Sequence, residues 1–219
     1  LLDPASGRYL FAPSAIPHPE GHGYFSQKEL VFSSVGYGVT NELSVLAGSM
    51  VPLVLAGVAN GEADLVNGIV GFKYGQRVSP DLHIGAGAWA LGVTEASLAI
   101  PYVNMTYGDR YDHYTLAIGQ TYVIQENDLG VTPVVFATHH ATQNGAWITE
   151  TWFVVQPDEP YDGPDLLVAA SAAHRFMGKR LTVDLGLVNM LPIGLSADEF
   201  VYIPVPWLDF AWHWGPDLH

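Results

Sequence analysis

The chain of 219 residues contains no cysteine, which excludes disulfides, thiolate metal sites and cysteine nucleophiles. It is nearly as poor in positive charge: eight Lys and Arg stand against 22 Asp and Glu, a formal charge of −14. That balance argues against nucleic-acid binding, whose affinity rests on neutralising phosphates. A sustained apolar run is also missing. The nearest candidate, Leu43 to Ala59, is interrupted by Ser44, Gly48, Ser49 and Pro52 and falls short of the roughly 20 apolar residues that a spanning helix needs. A signal-like segment is absent too, and the chain begins at Leu1 rather than Met, as expected of a processed mature protein.

What remains is apolar without being helical in pattern. The chain is 49% hydrophobic and 14% charged, with 23 Gly and 11 Tyr, and its segments alternate with a period of two. Leu181, Val183, Leu185 and Leu187 alternate with Thr182, Asp184 and Gly186. Tyr114, Leu116 and Ile118 alternate with Thr115, Ala117 and Gly119, and Leu208, Phe210, Trp212 and Trp214 alternate with Trp207, Asp209, Ala211 and His213. A face of large apolar groups set against a face of small or polar ones is the pattern of a strand that shows one side to lipid and the other to a lumen. With no spanning helix, a closed antiparallel barrel is the other structure that crosses a bilayer with every backbone group bonded.

The connections alternate in the same manner. Tight turns are expected at Thr40 to Glu42, Ser79 to Asp81, Gly108 to Arg110, Gln143 to Gly145 and Met177 to Arg180. Longer connections run from Ile16 to Gly23, Gly57 to Asp64, Gly92 to Ser97, Gln125 to Thr132, Pro157 to Asp165 and Pro192 to Pro206. The longer ones carry Glu20, Glu62, Asp64, Glu95, Glu126, Asp128, Asp158, Glu159, Asp162, Asp165, Asp198 and Glu199 and no Lys or Arg, whereas Arg77, Arg110, Lys179 and Arg180 cluster at the tight turns. Outer-membrane barrels have short periplasmic turns and longer external loops. The expected fold is therefore a single all-β domain over residues 1–219, an antiparallel transmembrane up-and-down β-barrel of about twelve strands. The strands are expected near 8 to 15, 24 to 40, 43 to 56, 65 to 79, 82 to 92, 98 to 107, 113 to 124, 133 to 143, 146 to 156, 165 to 176, 181 to 191 and 206 to 214. Ten strands behind an N-terminal extension is the alternative, because the first segment is short and contains Pro13. Aromatic residues near the strand ends, among them Tyr9, Phe11, Tyr24, Tyr102, Tyr107, Trp152 and Trp212, are assigned to girdles at the headgroups.

Six charged residues fall inside strands: Glu29, Lys73, Glu150, Arg175, Asp184 and Asp209. An ion facing lipid at mid-membrane is costly, so these are expected to point into the lumen. Enzymatic function is not expected. The stretch Thr138 to Gly145 holds His139 and His140 but no Ser where a nucleophile would stand. Nor is a metal or other cofactor expected. His18 and His22 share a loop with Glu20, yet no close-spaced His and carboxylate set follows, and His139 and His140 project to opposite faces.

The opening RYLFAPSAIPHPEGHGYFSQKELVFSSVGYGVTNELSV (Arg8 to Val45), together with RVSPDLHIGAGA (Arg77 to Ala88), resembles a group of uncharacterised bacterial outer-membrane β-barrel proteins. Those have an aromatic "RYFF-PSA" opening, a Gly-rich loop leading into a Tyr-rich strand, and a "YG-T" hairpin. The resemblance implies an outer-membrane location, with the lipid bilayer and lipopolysaccharide as surroundings, and brings no activity with it. On this reading the favoured function is a closed barrel serving as structural subunit or anchor of a larger envelope assembly, because inward Trp207 and His213 leave little free lumen. The alternative is a narrow diffusion channel for cations or small polar solutes. Third is a soluble barrel that binds an apolar ligand.

Overall fold

The computed structural model describes residues 3–52, 54, 67–93, 96–155, 166–193 and 204–216. The strands are β1 (Gly23–Lys28), β2 (Phe32–Gly38), β3 (Leu43–Ser49), β4 (Asn67–Ser79), β5 (Leu82–Val93), β6 (Ala96–Gly108) and β7 (Asp112–Gly119). After them come β8 (Tyr122–Val123), β9 (Asp128–Leu129), β10 (Thr132–Ala141), β11 (Gly145–Val155), β12 (Leu166–Met177), β13 (Leu181–Ile193) and β14 (Val205–Trp214). Each long strand pairs antiparallel with its neighbours, and β1 pairs with β14 to close the ring, from Gly23 opposite Trp214 to Lys28 opposite Asp209. Twelve strands form the wall. The two-residue strands β8 and β9 extend it where β7 has stopped, β8 pairing with β6 through Leu98 and Ala99.

The alternation decides which side chain faces where. Leu181, Leu185, Leu187, Tyr114, Leu116, Ile118, Phe210 and Trp212 are exposed on the outside, while Thr182, Asp184, Thr115, Ala117, Asp209 and Ala211 are buried on the inside. A soluble barrel would be arranged the other way round. An apolar outer face on a closed barrel finds its solvent in hydrocarbon. Leu116→Arg, in the middle of β7, should therefore cost about 2–4 kcal/mol. Urea unfolding of the vesicle-inserted protein checks this, and an unchanged midpoint would contradict the membrane placement.

Several expected boundaries move. Residues 8 to 15 form no strand; they belong to a segment that enters the barrel. The expected strand from 24 to 40 is two strands, and the turn between them holds Glu29 at φ 50° and Leu30 at φ 60°. Val31 N–H donates to the Lys28 carbonyl at 3.0 Å, closing a turn with both central residues left-handed. Asn-Gly is the usual pair for this turn, so Glu-Leu gave no signal in the sequence. The missing first strand and the divided second compensate, which keeps the wall at twelve.

The five tight turns expected from the sequence lie at one end, as do the entry to β1 and the exit from β14, whereas the β1–β2 turn lies at the other. At the turn after β6, the Tyr111 and Asp112 amides donate to the Asp109 carboxylate at 2.7 and 2.9 Å. These bonds hold that carboxyl below its usual range. Two connections differ from expectation. Residues 16–23 lie at the tight-turn end, where Glu20 N–H donates to Asn41 Oδ1 at 3.2 Å, so Glu20 is not on an outer loop. Strands β5 and β6 are separated by residues 94 and 95 alone. Of the acidic loop residues, Glu126 and Asp128 are exposed beside β8 and β9. Glu62, Asp64, Glu95, Asp158, Glu159, Asp162, Asp165, Asp198 and Glu199 lie outside the described residues.

Candidate functional site

Residues 3–22 run through the lumen and are gripped from most of its circumference. Tyr9, Leu10, Ala5, Ala15 and Ile16 are all but completely buried, which corrects the assignment of Tyr9 to a headgroup girdle. Phe11 of the same segment and the inward-facing Tyr24, Tyr102 and Trp152 leave that girdle as well. Four prolines, at 4, 13, 17 and 19, keep this segment from pairing as a strand. Its backbone groups must then be satisfied by wall side chains, and that need explains the charges inside the barrel.

Arg175, on β12, donates through Nη1 to the carbonyls of Ala5 and Arg8 at 3.1 and 3.0 Å. Its Nε and Nη2 reach the two oxygens of Asp184, on β13, at 2.7 Å each. Glu150, on β11, accepts Phe11 N–H at 2.8 Å and Ala12 N–H at 3.1 Å through one oxygen. The other oxygen accepts Trp152 Nε1–H at 2.9 Å. Lys73, on β4, donates to the carbonyls of Gly7 and Ile16 at 2.8 and 2.7 Å. Lys28, on β1, donates to the Leu10 carbonyl at 2.9 Å and to Asp209, on β14, at 3.0 Å. Asp209 also meets Arg8 of the lumen segment at 3.0 Å. Neutral groups add to the grip: Thr106 and Ser44 hydroxyls accept the amides of Ala15 and His18, and Tyr9 Oη bonds Thr115 Oγ1.

Five of the six charges expected in the lumen thus lie there: Lys73, Glu150, Arg175, Asp184 and Asp209. Glu29 does not. It sits in the β1–β2 turn, where its carboxylate accepts the Leu208 N–H at 2.6 Å, and the lumen-facing residue is its neighbour Lys28. Arg8 and Asp3, both in the lumen segment, were not singled out by the sequence. Asp3 meets His139 at 2.8 Å and Arg175 at 3.4 Å. Among the described residues no group of three or more His, Asp or Glu is placed to hold a metal ion.

Small residues make room for the segment. A methyl added to Gly75 would overlap the Ala15 carbonyl, and one added to Gly38 would overlap that of Pro19. Beyond the lumen segment, toward the loop end, the barrel opens into a cavity of about 630 Å³. Its sides include Leu46, Ile69, Leu91, Ile100, Val154 and Met190, and Leu10 and Phe11 form part of its floor. The lumen is therefore divided between a polar half filled by the chain's own N-terminal segment and an open, apolar half.

A closed barrel with an apolar belt, a polar inner half and its first and last wall strands opening to the short-turn side belongs to the class of bacterial outer-membrane barrels. Solved structures place it more narrowly, beside small twelve-stranded porins. The NanC porin has a TM-score of 0.58 at 8% identity, covering 88% of this chain and 97% of that one. The KdgM porin has a TM-score of 0.55 at 5% identity, with 88% and 95% covered. A second KdgM porin structure, in complex with disordered oligogalacturonate, has a TM-score of 0.53 at 7% identity over 88% of this chain. No protein family and no curated protein matches the sequence. The likeness is one of fold.

Proposed function

We propose that the protein is an outer-membrane diffusion channel whose path is closed, in the state described, by its own residues 3–22. The observation that carries this reading is the chemistry of the contact. The segment's backbone is held by hydrogen bonds with charged wall side chains beside an apolar contact of Tyr9, Leu10 and Ala12 with Ala117, Val135, Ile148 and Trp207, and it adds no strand to the sheet. A surface of this kind can be wetted. When the segment leaves, water replaces its amides and carbonyls around Lys28, Lys73, Glu150 and Arg175, and none of these charges is left dry. The small-porin fold supports the same reading.

The test is single-channel conductance in a planar bilayer, comparing the full chain with one that begins at Gly23. The full chain should be silent or open rarely. The shortened chain should give stable steps, because all twelve wall strands are retained. In that open form Glu150→Gln should shift ion selectivity, since Glu150 then faces water. Silence from a shortened barrel shown to be folded and inserted would return the protein to the structural-anchor reading. The buried ion network would serve a permanently closed barrel equally well, so conductance and not the network separates the two readings.

A further inference from the structure

We infer that the open half of the lumen is a binding chamber for a single hydrocarbon chain whose head group carries no net negative charge. This deepens the channel reading and rests on it for passage across the membrane, not for binding.

The wall of the chamber supplies the first argument. Inward positions of an outer-membrane barrel normally meet water and are polar, yet here Leu46, Ile69, Leu91, Ile100, Val154 and Met190 turn inward. Met190 keeps 53% of its surface exposed although it faces the lumen. Apolar side chains left facing an open space of about 630 Å³ lose stabilisation unless something apolar fills it. That volume falls within the range of pockets that enclose small-molecule ligands, roughly 300–1,000 Å³.

The floor supplies the second. Phe11 stands between Trp207, with ring centroids 4.6 Å apart, and the chamber. Arg8, Lys28 and Lys73 border the chamber, but Arg8 and Lys28 share Asp209, and Lys28 and Lys73 already donate to the carbonyls of Leu10, Gly7 and Ile16. The bottom of the chamber therefore suits a hydrocarbon end, and the head must lie toward the loops. There the exposed charge of the described residues is of one sign, from Glu126 and Asp128, and the whole chain carries −14. A carboxylate or phosphate monoester head would meet repulsion, whereas a neutral or zwitterionic one would not. The wall beside the chamber is also low. Strands β1 and β2 have 6 and 7 residues against 13 in β4, β6 and β13, and the tip between them presents Leu30, 64% exposed, and Val31. This geometry suits a ligand that partitions into lipid.

The experiment is titration calorimetry of the full chain held in amphipol, with empty amphipol as blank. The probes are monopalmitoylglycerol, lysophosphatidylcholine and palmitate. Saturable binding of the first two at one chain per barrel is expected, with palmitate at least tenfold weaker at low salt. Filling the chamber from β12 with Ser171→Trp or Ala169→Phe should weaken binding at least tenfold without changing the far-ultraviolet spectrum. If neither variant folds, a brominated monoacylglycerol reads the same occupancy on the unaltered chain, by quenching that saturates at one equivalent through Trp89 and Trp152. Non-saturable uptake, or binding unchanged in a folded chamber-filling variant, would overturn the chamber. Equal affinity for palmitate would overturn the assignment of the head group. Conductance from the shortened chain alongside absent binding would leave the channel standing without this ligand.

Discussion

Arg175→Ala should destabilise the folded barrel by about 3–5 kcal/mol, the cost of removing one partner from a buried ion pair. The side chain is completely buried. Its loss leaves Asp184 without its two 2.7 Å bonds and the carbonyls of Ala5 and Arg8 without a donor. Arg175→Lys should recover little, because an ammonium cannot reproduce the fork that spans two carboxylate oxygens and two carbonyls together. Urea unfolding in vesicles reads the stability. Trypsin reads the plug: Arg8 is buried while the segment is seated, and cleavage after Arg8 should appear in the variant under conditions where the parent protein is resistant. Full stability with an uncut Arg8 would show that the network does not hold the segment.

Gly75→Val should unseat the segment while leaving the wall intact. The added carbons would occupy the place of the Ala15 carbonyl, and backbone in that position cannot rotate away as a side-chain tip would. For the strand itself the change is mild, since Val suits a pleated surface better than Gly does. Conductance steps like those of the chain beginning at Gly23 are expected, together with cleavage after Arg8. Gly92→Val is the control: a methyl there meets nothing within 4 Å, and the channel should stay closed. A closed Gly75→Val barrel would mean that the segment rests elsewhere.

Much of the wall was legible because a period of two is enforced at every position by lipid on one side. Leu181 to Leu187 and Tyr114 to Ile118 could be assigned outward, and Asp184 and Asp209 inward, from spacing alone. The lumen segment was not legible in the same manner. Tyr9, Leu10 and Phe11 look like strand residues, since a segment buried inside a barrel needs apolar groups as much as one facing lipid does. Two signals pointed the other way. Pro13 falls inside the expected first strand, and Lys73 and Glu150 had no charged partner at a neighbouring position. Inward-facing Gly38 and Gly75 carried the same message, because a barrel empty at that height has no reason to remove its side chains there. The apolar chamber escaped notice because its lining comes from many strands, each contributing one or two residues.

The ring closes where β1 meets β14, the first strand of the wall and the last to leave the ribosome. Across that seam Lys28 of β1 and Asp209 of β14 face each other in register, and Arg8 of the lumen segment joins them. Zipping the final seam and docking the segment thus draw on one cluster of three charges. A seam closed without the segment leaves Asp209 with Lys28 and the Ser26 hydroxyl but without the Arg8 guanidinium, so the last ion pair at the seam is made by the chain's own lumen segment.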